Sequence, residues 1–209
     1  MQATRIIAVR HGETDWNAGA RIQGHTDIAL NARGRRQAEQ LARALAHERF
    51  DAVYASDLAR ALDTARPLAA ASAVALRPDA RLRERAFGIF EGEAFADIEQ
   101  RWPDGARRWR ARDASFGPDG GERLDHFYAR CVACVQDLGA RHPGQTIALV
   151  AHGGVLDCLY RAATRIALDA PRTWQVANAG INRLLFTPQG LTLVGWSDTA
   201  HLESPAAVG

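Results

Sequence analysis

The apolar run Ile6-Ile7-Ala8-Val9 ends in Arg10-His11-Gly12-Glu13-Thr14. A short β-branched run reads as a strand, so a guanidinium and an imidazole arrive together at its carboxyl end, where open α/β sheets put their ligands. That pair suits a phosphoryl group, because a guanidinium stays charged and its planar fork matches phosphate oxygens. The same ending recurs in Ile147-Ala148-Leu149-Val150-Ala151-His152-Gly153-Gly154. Arg60 follows the run Ala52-Val53-Tyr54-Ala55 and the helix-start pair Ser56-Asp57. Glu84 stands in Leu82-Arg83-Glu84-Arg85-Ala86-Phe87-Gly88, with Glu91-Gly92 just beyond. On composition alone Glu84 would be a salt-bridge partner of Arg83 or Arg85.

With these segments in this order, the chain resembles the histidine phosphatase superfamily, the phosphoglycerate mutase-like family. The likeness runs from Arg10 to Asp198-Thr199-Ala200-His201-Leu202 and takes in Asp27-Ile28-Ala29-Leu30-Asn31, Gly34 and Gln37. It implies a phosphohistidine mechanism. A neutral imidazole is a competent nucleophile, and an adjacent guanidinium disfavours the second proton that would block it, so His11 is the expected nucleophile. Arg10 and Arg60 would hold the phosphoryl oxygens, with a protonated His152 and the amides of a helix beginning after Gly153-Gly154 donating to them. Glu84 would then protonate the leaving oxygen and take a proton from water. Asn17 and Gln23 match family positions that line the pocket, and Gly12, Gly24 and Gly153 would admit backbone where a Cβ could clash.

The elements that must position these residues alternate strand and helix. The pattern predicts an α/β three-layer sandwich, a mainly parallel central sheet flanked by helices. Strands are expected near Arg5 to Val9, Ala52 to Tyr54, Ala75 to Arg77 and Thr146 to Val150. Asn31 should cap a helix with Ala38, Leu41, Ala42, Leu45 and Ala46 inward. A helix from Asp57 should kink or break at Arg66-Pro67. Helices are also expected over Leu124 to Arg141 and Val155 to Ala163, and a hairpin pairs Asn182 to Phe186 with Leu191 to Trp196. One domain over 1–209 is expected, with 81–123 as a lid-like insertion and Ser204 to Gly209 as a frayed tail.

With 209 residues and a formal charge of +2, the chain has no general field that would recruit nucleic acid or an anionic membrane. It has neither a signal-like start nor a membrane-length apolar run, so a cytoplasmic protein is expected. The three cysteines do not make a disulfide framework; Cys131 and Cys134 fall on a helical apolar stripe and read as packing residues. His25, His47, His126 and His142 match no metal spacing and read as ordinary histidines, and packing or capping is expected for His201. The expected cofactor list is therefore empty, the ligand a small phosphorylated metabolite, and self-association is left open.

Within the family, phosphatases and mutases share every step to the phosphohistidine and differ in who accepts the group. Two features favour a phosphatase: the chain is short for a bisphosphoglycerate-dependent mutase, and Ala86-Phe87 stands where such mutases typically carry His-Tyr. The arginines Arg101, Arg107, Arg108, Arg110 and Arg112 could instead clamp a phosphoglycerate, with 2,3-bisphosphoglycerate as cofactor in that case alone. Their other reading is a solvated helix face.

Overall fold

A computed structural model describes residues 2–203. Its centre is a six-stranded sheet in the order β3-β2-β4-β1-β5-β6, built from β1 Thr4–Arg10, β2 Ala52–Ala55, β3 Leu76–Pro78, β4 Thr146–Ala151, β5 Ile181–Thr187 and β6 Gly190–Asp198. The first four run parallel and the β5-β6 hairpin is antiparallel. Side chains alternate across the strands. Ile6 and Ala8 face α6 (Leu124–Ala140) and α7 (Gly153–Thr164), through Phe127, Val135 and Val155. Ile7 and Val9 face α2 (Ala32–Ala44) and α3 (Ala59–Ala71), through Leu41, Ala61 and Leu68. This is the expected three-layer arrangement.

The centre of the sheet explains where the chemistry gathers. β1 and β4 are neighbours, with Arg10 opposite Ala151, and the His11 amide donates to the Ala151 carbonyl at 2.9 Å. Two parallel strands in that register must release His11 and His152 side by side. β2, on the far side of β4, releases the turn that leads to Arg60 at the start of α3.

Several expectations are corrected. The helix after β2 begins at Ala59 with Leu58 as its cap residue, because Asp57 is drawn into an ion pair with Arg83 at 2.6 Å. Asp27 Oδ1 accepts from the Ala59 amide instead, at 2.8 Å, so the helix start is capped from a distant loop. Pro67 lies inside α3 without ending it, since buried Ala65, Leu68 and Ala69 pin the helix on both sides of the proline. Ala46 is exposed beyond the end of α2, whereas Asn31 caps that helix as expected by accepting from the Gly34 amide at 2.8 Å. Cys131, Cys134 and Cys158 are free and buried. Ser204 to Gly209 lies outside the described residues.

Between β3 and α6, residues 79–123 hold two 3-10 turns and two short helices, α4 (Phe95–Arg101) and α5 (Pro103–Arg110), that share a small apolar cluster of Phe90, Ile98, Ala106 and Phe116. Among the described residues no helix is long and apolar enough to cross a membrane.

Candidate active site

Arg10, His11, Asn17, Gln23, Gly24, Arg60, Glu84 and Gly153 line one pocket of about 230 Å³ at the carboxyl ends of β1, β2 and β4. His152 lies against it, fully buried, with its ring centroid 5.2 Å from that of His11. All nine sequence-derived positions therefore converge.

His11 is 3% exposed, and its Nδ1 lies 2.7 Å from the Gly12 carbonyl. A carbonyl can only accept, so the proton sits on Nδ1 and the lone pair on Nε2. Burial pushes the His11 imidazole well below its ordinary value, and the Arg10 and Arg60 charges push it further. The His152 ring is driven down in the same way, by burial first and then by Arg60, His11 and Arg10. Burial beside two guanidiniums thus disfavours a second proton on His152 in the free site, whereas the expected donation from a protonated His152 concerns the site with its anion bound.

The arginines are fixed by backbone carbonyls. Arg10 Nη1 donates to Val176 O at 2.7 Å, and Arg60 Nη1 and Nη2 donate to Thr26 O and Gly24 O at 2.9 and 2.7 Å. Burial lowers both guanidiniums from their ordinary value, with Glu84 the largest charge opposing it. Their Nε atoms and both ring nitrogens of His152 are buried without a hydrogen-bond partner among the described residues. Unpartnered guanidinium N–H groups are costly in an isolated fold and supply donors for an anion in the pocket that Arg10 and Arg60 line. Asn17, in α1 (Asp15–Ala18), turns its Oδ1 to the Thr14 amide at 3.1 Å, and Gln23 Oε1 accepts from Thr14 Oγ1 at 3.0 Å, which holds both residues along the pocket wall.

Glu84 makes no ion pair among the described residues, because Arg83 is taken by Asp57 and Arg85 donates to the carbonyls of Glu122 and Phe116. Its Oε2 accepts from the Gly154 amide and its Oε1 from the Arg85 amide, both at 2.9 Å. That amide of α7 is thus spent on Glu84. Gly154 is also the glycine that matters there, since a Cβ would sit 2.2 Å from Glu84 Oε1, while one at Gly153 would meet nothing closer than Arg10 Nε at 3.5 Å.

Sequence reasoning missed three contributors. Glu91 accepts from the amides of His25, Thr26 and Phe87 and from Thr26 Oγ1, which ties the loop carrying Gln23 and Gly24 to the segment carrying Glu84. Burial raises the Glu91 carboxyl, but these donors outweigh it and hold it below its ordinary value. His25, read as an ordinary histidine, donates from Nε2 to the Glu84 carbonyl at 2.9 Å. The segment before β5 supplies Val176, Asn178, whose Nδ2 donates to His11 O at 2.9 Å, and the pocket-lining Arg172.

Comparison with known proteins places this arrangement. Residues 6–199 match the Histidine phosphatase superfamily (branch 1). The chain belongs to that superfamily. As a histidine phosphatase and hydrolase it is 38% identical over 202 residues to phosphoglycerate mutase-like protein 4 of Arabidopsis thaliana, across 95% of this chain and 86% of the relative. It is 37% identical over 193 residues to glucosyl-3-phosphoglycerate phosphatase of Mycobacterium tuberculosis, across 88% and 86% of the two chains. A solved mycobacterial glucosyl-3-phosphoglycerate phosphatase in complex with VO3 superimposes with a TM-score of 0.83 at 33% identity, covering 93% of this chain and 99% of that one. Phosphoserine phosphatase from Entamoeba histolytica in complex with 3-phosphoglyceric acid gives 0.85 at 27% identity, covering 96% and 100%.

Proposed function

We propose that this histidine phosphatase hydrolyses a small phosphorylated metabolite through a phosphohistidine on His11 Nε2, without a metal. The carrying observation is the locked tautomer of His11 beside the unpartnered nitrogens of Arg10, Arg60 and His152. The phosphoryl oxygens would satisfy those nitrogens, and His11, neutral and held by Gly12, would attack phosphorus in line. The P–O bond to the alcohol breaks as the N–P bond forms. Glu84 lines both this pocket and an adjoining one of about 200 Å³, so a departing oxygen between the two lies beside its carboxyl. There it would give a proton to the alkoxide and later take one from the water that releases phosphate.

Hydrolysis is favoured over mutase chemistry by the fate of the arginine-rich strip. Arg101, Arg107, Arg108 and Arg110 pair with Glu93, Asp104, Asp113 and Glu99, and Arg112 pairs with Asp157. None of the five lines the pocket that holds His11. The relatives named as phosphoserine and glucosyl-3-phosphoglycerate phosphatases support a small phosphometabolite.

The test is incubation with 3-phosphoglycerate, with and without 2,3-bisphosphoglycerate, quantifying phosphate and 2-phosphoglycerate together. Phosphate without isomer is expected, unchanged by chelator. Rapid bisphosphate-dependent isomerisation would mean a mutase instead. A His11→Ala variant that still turned over would remove the nucleophile assignment.

A further inference from the structure

The chain between α7 and β5, residues 165–180, follows an irregular path and yet carries the clamp on Arg10. Val176 O accepts from Arg10 Nη1, and the Ala179 amide donates to Arg10 O at 2.9 Å. An irregular segment must find partners for its carbonyls outside a helix or a sheet ladder. Two arginines supply them here. Arg161 donates from Nη1 and Nη2 to the carbonyls of Ala167 and Ala170, and Arg112, which follows α5, donates from Nε to Leu168 O at 2.7 Å.

Both arginines meet at Asp157 Oδ2, Arg112 at 2.7 Å and Arg161 at 3.1 Å, so one carboxylate is shared between two guanidiniums. Arg161 is fully buried, one turn after Asp157 on α7, and its guanidinium lies over the Trp174 ring, 4.8 Å from the centroid. Tyr160 stacks on Trp174 at 4.1 Å, and Trp196 Nε1 donates to Gln175 O at 2.8 Å. These contacts fix the segment at residues 167, 168, 170, 174 and 175, immediately before Val176. A fully buried arginine is costly to desolvate, and an apolar side chain would fill the same space more cheaply unless the fork is used. Arg161 does not line the catalytic pocket, so its use lies in what it holds.

We propose that Arg161 is a positioning residue for Arg10. Its fork, oriented by Asp157 and supported by Arg112, sets the course of residues 165–176 and so the place of Val176 O, which holds the guanidinium that receives the phosphoryl group. The assignment rests on the phosphate-site reading of Arg10 given above, and its test separates the two. Arg112 and Asp157 also line the adjoining pocket, so contact with the alcohol half of the ester is the competing role for this cluster. A ligand without an alcohol half tells the two roles apart.

The probe is orthovanadate, a tetrahedral oxyanion, and its inhibition constant against p-nitrophenyl phosphate hydrolysis is measured for the parent, Arg161→Lys and Arg112→Gln. Lysine keeps a positive charge beside Asp157 but cannot reach both carbonyls, so a loss in Arg161→Lys reports the fork rather than the charge. That variant should bind vanadate about tenfold more weakly, and kcat/KM for aryl and alkyl phosphates should fall by a similar factor. Arg112→Gln gives up one carbonyl contact at a partly exposed side chain and should weaken vanadate by about threefold. It carries the test should Arg161→Lys fail to fold. Vanadate inhibition equal to the parent's in Arg161→Lys, or in Arg112→Gln where the first does not fold, would overturn the positioning role. A lowered thermal midpoint with that result would leave Arg161 a purely structural part, and a loss confined to alkyl esters would assign the cluster to the alcohol half. A parent that vanadate does not inhibit would overturn the phosphate-site reading, and the positioning role with it.

Discussion

A histidine becomes a nucleophile when its proton is placed and its charge suppressed, and two separate features do this for His11. The Gly12 carbonyl fixes the proton on Nδ1, while burial and two guanidiniums keep the ring neutral. Because the imidazole is held well below its ordinary value of 6.5, kcat/KM should show no histidine protonation step centred near 6.5 beyond the phosphomonoester's own second ionisation. Such a step, present in the parent beyond that of the ester, would show that His11 is titrating and the electrostatic account is wrong. Glu84 is tested by leaving groups rather than by pH. Glu84→Gln keeps the shape, gives up one of the two amide bonds and cannot give up a proton, so alkyl esters should slow by about 100-fold or more, while p-nitrophenyl phosphate, whose leaving group hardly needs a proton, is slowed far less. Equal slowing of both classes would take Glu84 out of the acid role.

The strand ends are rigid because neighbouring strands share their hydrogen bonds; the loops that complete the site rely on single side chains. Glu91 is the main one, with amides of His25, Thr26 and Phe87 and the Thr26 hydroxyl all donating to its carboxylate. Glutamine cannot accept at both ends, so Glu91→Gln should cost about 1–3 kcal/mol in chemical unfolding. It should also raise KM more than it lowers kcat, because the loosened loop carries Gly24 O, a partner of Arg60. An unchanged KM would confine Glu91 to stability. The contrast also explains what could be read in advance. Arg10, His11, Arg60 and His152 were legible because each closes or follows a short apolar run, and strand order then forces them together. Asp57 as a cap was misread because nothing local reveals that Arg83 competes for its carboxylate. His25, Val176 and Asn178 act through or upon main-chain carbonyls, which carry no residue signature, so no motif could have found them.

For the whole molecule, the site is a standing electrostatic cost that a ligand should relieve. The folded chain keeps His11 and His152 neutral, whereas the unfolded chain protonates both near their ordinary value of 6.5. Below that value the unfolded state binds more protons than the folded one, so stability must decline as pH falls from about 6.5. A second decline belongs to Asp57, Asp79, Glu91 and Asp198, all held below their ordinary values in the fold, and it begins only as pH approaches the carboxylate range. An anion among Arg10, Arg60 and His152 reverses the first effect by offsetting the arginine charges that keep His152 neutral, and so favours a proton on that ring. Thermal midpoints measured from pH 7.5 to 5 should therefore fall without ligand and fall less steeply in saturating phosphate or vanadate, and calorimetry in buffers of different ionisation enthalpy should register proton uptake on binding. Parallel midpoint curves with and without the anion, together with no proton uptake, would mean that His152 stays neutral in the complex and that Arg10 and Arg60 alone balance the phosphoryl charge.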